Sequence, residues 1–163
     1  MAKAERLGRL WQKGWPRNRA LLARVSHRVP FQDADPTGAV WHGNYFRYYD
    51  LARVALLDRF EFGYRAMAKR GQLWPIVDTE VRYLKPVRYG DSIAVEARMV
   101  EWEFRLRLHY RVLLDDHLIN EAITVQVPVD ATTDRLIVGA PDDLIERIER
   151  ACLSASGSHD QDA

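Results

Sequence analysis

Residues 31–50 read FQDADPTGAVWHGNYFRYYD, and the reading of this stretch decides the fold. Asp33, Asp35 and the Pro36-Thr37-Gly38 run are turn chemistry, because Asp bonds its own backbone and glycine accepts a left-handed φ. From His42 onward the apolar spacing is helical. Tyr45, Phe46, Tyr48, Tyr49, Leu51, Ala52, Val54, Ala55, Leu56, Leu57 and Phe60 leave no polar stripe of ordinary width. The helix predicted over 42–60 is therefore buried on several sides, and a single buried rod needs a sheet wrapped around it. Two carboxylates and a histidine nevertheless crowd its N-terminal mouth, where one capping side chain would suffice.

Upstream, Val25, His27, Val29 and Phe31 alternate with Ser26, Arg28 and Gln32, the period of a half-buried strand. Pro30 places that strand at an edge, or marks its end. Downstream, a short helix near 64–69 precedes strands expected at about 74–84, 92–102, 104–114 and 118–129. In the third of these, Phe104, Leu106, Leu108, Tyr110 and Val112 alternate with Arg105, Arg107, His109 and Arg111, giving one core face and one cationic face. Tyr89-Gly90-Asp91 and Asp115-Asp116-His117 read as hairpin turns between antiparallel neighbours. A further short strand at 136–138 and a helix over 141–153 complete an α+β protein: an antiparallel sheet wrapped around one long central helix.

The chain has 163 residues, 47% of them hydrophobic and 29% charged, which suits one globular domain with a real core. Its formal net charge of +1 gives no reason to expect nucleic acid as a partner. Cys152 is the single cysteine and no Cys/His cluster has zinc-ligand spacing, so neither a disulfide nor a metal is expected. No run reaches the roughly 20 apolar residues of a membrane span, and no secretory signal is visible. The expected location is the cytoplasm. Charge is uneven, however: residues 1–24 carry Lys3, Arg6, Arg9, Lys13, Arg17, Arg19 and Arg24 against Glu5 alone. Leu7, Leu10, Trp11 and Trp15 add helical spacing, so this arm packs on its own domain, makes weak contact with an anionic membrane surface or touches nucleic acid, the first being the leading reading.

The segment Asp33-Ala34-Asp35-Pro36-Thr37-Gly38-Ala39-Val40-Trp41-His42-Gly43-Asn44-Tyr45 resembles the motif of the 4-hydroxybenzoyl-CoA thioesterase family of the hotdog fold. That motif runs D-x-D-x-x-G-x-V-[WY]-[HYF]-x-x-Y. VRYLKPVRYGD at 81–91 is similar to the family's strand-turn-strand, and the resemblance covers about 24–150. It implies an arm at 1–23, a hotdog thioesterase domain at 24–153 and a polar tail at 154–163.

The resemblance further implies hydrolysis of an acyl thioester, aryl or fatty, of CoA or acyl carrier protein, without a cofactor. Asp35 would be the catalytic carboxylate, attacking the carbonyl directly or deprotonating a water. The amides of His42 and Gly43, unpaired at the helix start, would receive the oxyanion, and the His42 side chain would orient substrate or water. Asp33 is then mainly structural. Trp41 suits a pocket wall, Asn44 a first-turn polar contact, and Tyr45 packing with its hydroxyl partnered. Asp50 needs a partner, either Arg53 or a polar group on the acyl moiety. Arg82, Lys85 and Arg88 flank the turn that the family places near the pocket mouth, where cations would bind CoA phosphates. Arg105, Arg107 and Arg111 are the alternative set. The family also implies a homodimer or homotetramer with sites between subunits. Two rivals stand beside this reading: a hotdog dehydratase, and a non-catalytic acyl-thioester-binding or sensor module, to which a carboxylate beside a thioester carbonyl would be of no use.

Overall fold

The computed structural model describes residues 18–156. The amphipathic helix expected in the arm and most of the expected tail lie outside them. Described chain begins inside the expected arm: the Asn18 side chain accepts from the Ala20 N–H at 3.0 Å and starts a 3₁₀ turn, Arg19–Leu21. Strand β1 (Leu22–Arg28) follows at once. A 3₁₀ turn at Phe31–Asp33 leads into the motif loop. Phe31 thus leaves the alternation expected for the strand and is 75% exposed. Pro30, with no N–H to give a ladder, marks where the strand stops.

The central helix α1 spans Tyr45–Asp58, preceded by a 3₁₀ turn at His42–Asn44, so the helical segment starts as expected but in a tighter form. Then come α2 (Tyr64–Lys69), β2 (Gln72–Leu73), β3 (Ile76–Tyr83), β4 (Ser92–Glu101), β5 (Leu106–Leu114), β6 (His117–Gln126), β7 (Val129–Asp130) and α3 (Asp142–Ser156). Five strands form one antiparallel sheet in the order β1-β4-β5-β6-β3, while β2 pairs with β7 in a separate ribbon. The strand expected at 136–138 reduces to a bridge between Val129 and Leu136.

Period two explains the sheet. Ile93, Val95, Ala97 and Met99 of β4 and Leu106, Leu108, Tyr110 and Val112 of β5 are almost wholly buried on the helix-facing side, where Tyr48, Tyr49, Ala52, Leu56 and Leu57 of α1 meet them. Each of the larger aliphatic side chains among them contributes about 1.5–3 kcal/mol on burial. Leu144 and Ile148 of α3 are also fully buried, so the C-terminal helix belongs to the core.

Two expectations are corrected. Tyr89-Gly90-Asp91 does not close a hairpin: β3 pairs with β6 and β4 with β1, so residues 84–91 cross from one side of the sheet to the other. The crossing is fastened by Leu84 and Lys85 N–H groups donating to the Ile119 carbonyl and by Val29 N–H donating to that of Asp91. Neither is α1 covered on several sides. Phe46, Leu51 and Val54 are 39%, 45% and 37% exposed, because five strands from one chain wrap only part of its circumference.

The cationic outer face of β5 is neutralised from its neighbours. Arg105 Nε lies 2.9 Å from Glu101 Oε1, and Arg111 Nη1 lies 3.7 Å from Glu96 Oε2. Burial, with Arg111 and Arg98 nearby, pushes His109 down to about 4, so its neutral ring hydrogen-bonds to Glu121 at 2.7 Å. Arg107 stands opposite Glu101 in the β4–β5 ladder. Guanidinium groups engaged with carboxylates in this way are poor receptors for phosphate.

Candidate active site

The motif loop is held by a buried carboxylate. Asp33, fully buried, accepts from Tyr48 OH at 2.7 Å and from Arg47 Nη1 at 2.8 Å, while its carbonyl accepts from Trp41 N–H and from Asn44 Nδ2. One residue therefore ties the loop to the first turn of α1 and to the 3₁₀ turn before it. Burial, and then the bond to Asp33, raise the Tyr48 phenol far above its ordinary value, so it serves only as a donor. Asn44, expected as a first-turn polar contact, is one of these ties.

Two residues on, Asp35 stands half-exposed in a tight turn. Its Oδ1 accepts from Thr37 N–H at 2.7 Å and from Thr37 Oγ1 at 2.5 Å, and its own N–H donates to the Ala39 carbonyl. Gly38 closes the turn at φ 78°, where a side chain would be strained. The Thr37 hydroxyl, then the Thr37 and Ala39 amides and the neighbouring His42, hold the Asp35 carboxyl below the usual aspartate value. Asp35 is thus ionised at neutral pH, with Oδ2 left unengaged by Thr37. The turn role and a reactive role use different oxygens of one carboxylate.

Asp35 lines a cleft of about 360 Å³ with His42, Tyr45, Tyr83, Lys85 and Pro86, among others. Three chain segments meet there: the motif loop, the start of the helical segment and the crossing that follows β3. Val40 N–H donates to the Val87 carbonyl at 2.7 Å, fastening loop to crossing. Tyr83 OH donates to the His42 carbonyl at 2.9 Å, and the Tyr83 ring stands edge-on to Tyr45 at 5.3 Å. The His42 ring is exposed between Trp41, 4.9 Å away, and Tyr83, 6.4 Å away. At the start of a helical segment the amide N–H groups have no intrahelical acceptor and carry the positive end of the dipole. His42, which lines the cleft, and Gly43, which does not, occupy that position, so the start of the helical segment, a carboxylate and the Lys85 cation meet at one cavity.

Other expected site residues stand elsewhere. Trp41 does not line the cleft; its indole folds over Gly43, where a Cβ would come within 2.1 Å of the ring. Asp50, itself exposed, is ion-paired with the buried Arg53, outside the cleft lining. Arg82 belongs to the outer face of β3, 3.9 Å from Glu121. Arg88 reaches Gly38 rather than the cleft, and its N–H donates to Asp91. Only Lys85 of the three expected mouth cations borders the cavity. Sequence reasoning missed Tyr83 and Pro86, although both fall within the quoted VRYLKP run, and Thr37, whose two-residue offset from Asp35 is the signature of a side-chain turn.

Comparison with known proteins agrees with the architecture. A family model described as the thioesterase-like superfamily matches residues 29–148. The acyl-CoA thioester hydrolase YbgC of Escherichia coli is 27% identical over 114 residues, covering 67% of this chain and 83% of that protein. A solved structure of a hypothetical protein from Aquifex aeolicus is 28% identical and superposes with a TM-score of 0.68, covering 77% of this chain and 98% of that one. A 4-hydroxybenzoyl-CoA thioesterase variant complexed with 4-hydroxybenzoyl-CoA shares the fold at a TM-score of 0.69 and 23% identity, covering 78% and 99% of the two chains. With the sheet-wrapped helix and the motif loop at its start, these matches place the chain: it belongs to the thioesterase-like superfamily and is an enzyme of the hotdog fold.

Proposed function

We propose that this protein hydrolyses acyl-CoA thioesters to the free acid and CoA thiol, with Asp35 as the nucleophile. The observation that carries the reading is the Asp35 carboxylate itself, ionised, half-exposed and with one oxygen not engaged by Thr37, in a cleft shared with His42 and the start of the helical segment. A thioester has a good leaving group, so the needs are an attacking oxygen and donors for the oxyanion. Asp35 Oδ2 attacks the carbonyl carbon, the C–S bond breaks, and the thiolate leaves and is protonated from solvent. Water then cleaves the mixed anhydride, regenerating the carboxylate. The amides of His42 and Gly43 face the developing oxyanion, and Lys85 at the rim attracts the phosphates of the carrier.

The active form in this proposal is a homodimer. Phe46, Leu51 and Val54 on α1 and Ile76, Val77 and Tyr83 on the edge strand β3 are apolar side chains left exposed in one subunit. Exposed apolar surface of this kind suits a second copy.

Asp35→Asn tests the assignment. It preserves shape and an acceptor oxygen for Thr37 but removes the charge. Turnover of acyl-CoA, followed by release of free thiol, is expected to drop by about 10² or more with unchanged folding. Near-normal turnover would reduce Asp35 to a turn residue.

A further inference from the structure

The last residue of β3 reaches the start of the helical segment. Tyr83 pairs with Asn120 of β6, whose buried side chain accepts from Tyr49 OH, so the Tyr83 ring leaves the sheet on the side that faces α1. There it stands edge-on to Tyr45 at 5.3 Å and to the His42 ring at 6.4 Å, and its hydroxyl donates to the His42 carbonyl at 2.9 Å. The backbone next to it is fixed as well, because the Leu84 and Lys85 N–H groups donate to the Ile119 carbonyl. The phenol is thus anchored to the sheet, and it grips the helical segment at a peptide group.

That peptide is one of the two that supply donors at the helix start. A trans peptide is a rigid plane with C=O and N–H on opposite edges, so whatever holds the carbonyl sets the direction of the N–H. The plane that carries the His42 N–H is held from within the turn, where the Trp41 carbonyl accepts from Asn44 N–H at 2.9 Å. The plane that carries the Gly43 N–H is held from outside, by Tyr83. Among the described residues neither N–H has an acceptor. A carbonyl that accepts a hydrogen bond also polarises the N–H across its plane, making it a stronger donor. The phenol itself is a poor acid for the departing thiolate, since its proton is committed to the carbonyl and burial raises its pKa.

On the thioesterase reading above, we infer that Tyr83 is a positioning residue for hydrolysis: its hydroxyl fixes the peptide between His42 and Gly43, so that the donors at the helix start are already aimed when negative charge develops on the thioester oxygen. Tyr83 touches no reacting atom. Preset donors need no reorganisation at the moment of reaction, so the benefit falls on the chemical step. It falls equally on every substrate, because the carbonyl is common to all thioesters while the acyl chain and the nucleotide are not.

The test is Tyr83→Phe in the full-length protein, which keeps the ring contacts with Tyr45 and His42 and deletes the hydroxyl. Wild type and variant are compared on acetyl-, benzoyl- and octanoyl-CoA and on the matching acyl pantetheines. Expected is an equal fall in kcat and kcat/KM of about tenfold, below the roughly 10²–10³-fold that follows outright removal of an oxyanion donor. The factor should agree within about twofold on every thioester that the wild type cleaves. In the ¹⁵N–¹H spectrum the Gly43 amide is expected to shift, with the melting temperature unchanged. Wild-type kinetics in the variant would overturn the inference, as would lost turnover with the Gly43 amide unmoved. A loss that varies with the acyl group, or that appears as a raised KM, would make Tyr83 a wall of the substrate pocket; one confined to the basic side of the pH profile would make it a proton donor. Either result overturns the positioning role and leaves the hydrolase standing. Failure of the wild type to cleave any of these thioesters would refute the thioesterase reading, and the inference with it.

Discussion

Asp33→Ala removes the fastening of the motif loop, and its cost follows from the partners it strands. The bond from Tyr48 OH joins two groups that are at most 1% exposed. A hydrogen bond to a charged group is worth about 1.5–3 kcal/mol, and the phenol left behind without an acceptor adds about 1–3. The Arg47 pair counts for little, since that side chain is 62% exposed and screened by water. A loss of about 3–5 kcal/mol is expected, which for a domain of this size lowers Tm by about 6–20 °C. Urea titration of Asp33→Ala, Tyr48→Phe and the double variant isolates the pair. Coupling of about 1.5–3 kcal/mol is expected between them. Additivity within about 0.5 kcal/mol would refute the claim that this carboxylate holds the loop through Tyr48.

The pH dependence of turnover tests the polarisation of Asp35. Because Thr37 and its neighbours lower that pKa, the acid limb of kcat/KM should fall below the ordinary aspartate value, and Thr37→Val, which deletes the leading cause, should move the limb upward; an unmoved limb would assign it to another group. Lys85→Ala should raise KM for an acyl-CoA with kcat largely kept and should spare the matching acyl pantetheine, which lacks the nucleotide. The effect should shrink as salt shortens the Debye length from ~10 Å at 0.1 M, and equal losses on both substrates would make Lys85 a support of the fold.

What was legible in the sequence was what local pattern controls. The alternation of Leu106, Leu108, Tyr110 and Val112 and the helical spacing of Tyr45 to Leu57 fall where the sheet and α1 lie. Asp35, His42 and Tyr45 could be grouped because they are close along the chain. Pairing between distant strands left no local mark. Tyr89-Gly90-Asp91 has the composition of a hairpin turn, yet β3 finds its partner in β6, beyond two intervening strands. For the same reason Tyr83 was invisible as a neighbour of His42, and Arg82 could not be assigned to the outer face opposite Glu121. The exposure of Phe46, Leu51 and Val54 was hidden in another way, because a helix that is apolar nearly all round reads identically whether one chain or two cover it.

The crossing at 84–91 also orders events during folding. Strands β4, β5 and β6 are joined by short connections and pair with their sequence neighbours, so they close with little loss of chain entropy. β3 reaches its place only by pairing with β6 some forty residues later, and residues 84–87 reach theirs against Ile119 and Val40. On the ribosome, the motif loop and α1 emerge before the strand that receives them. The apolar helix waits unsheltered while the meander is made, and the reactive cleft, whose parts lie between residues 35 and 86, is assembled only after the far end of the sheet exists.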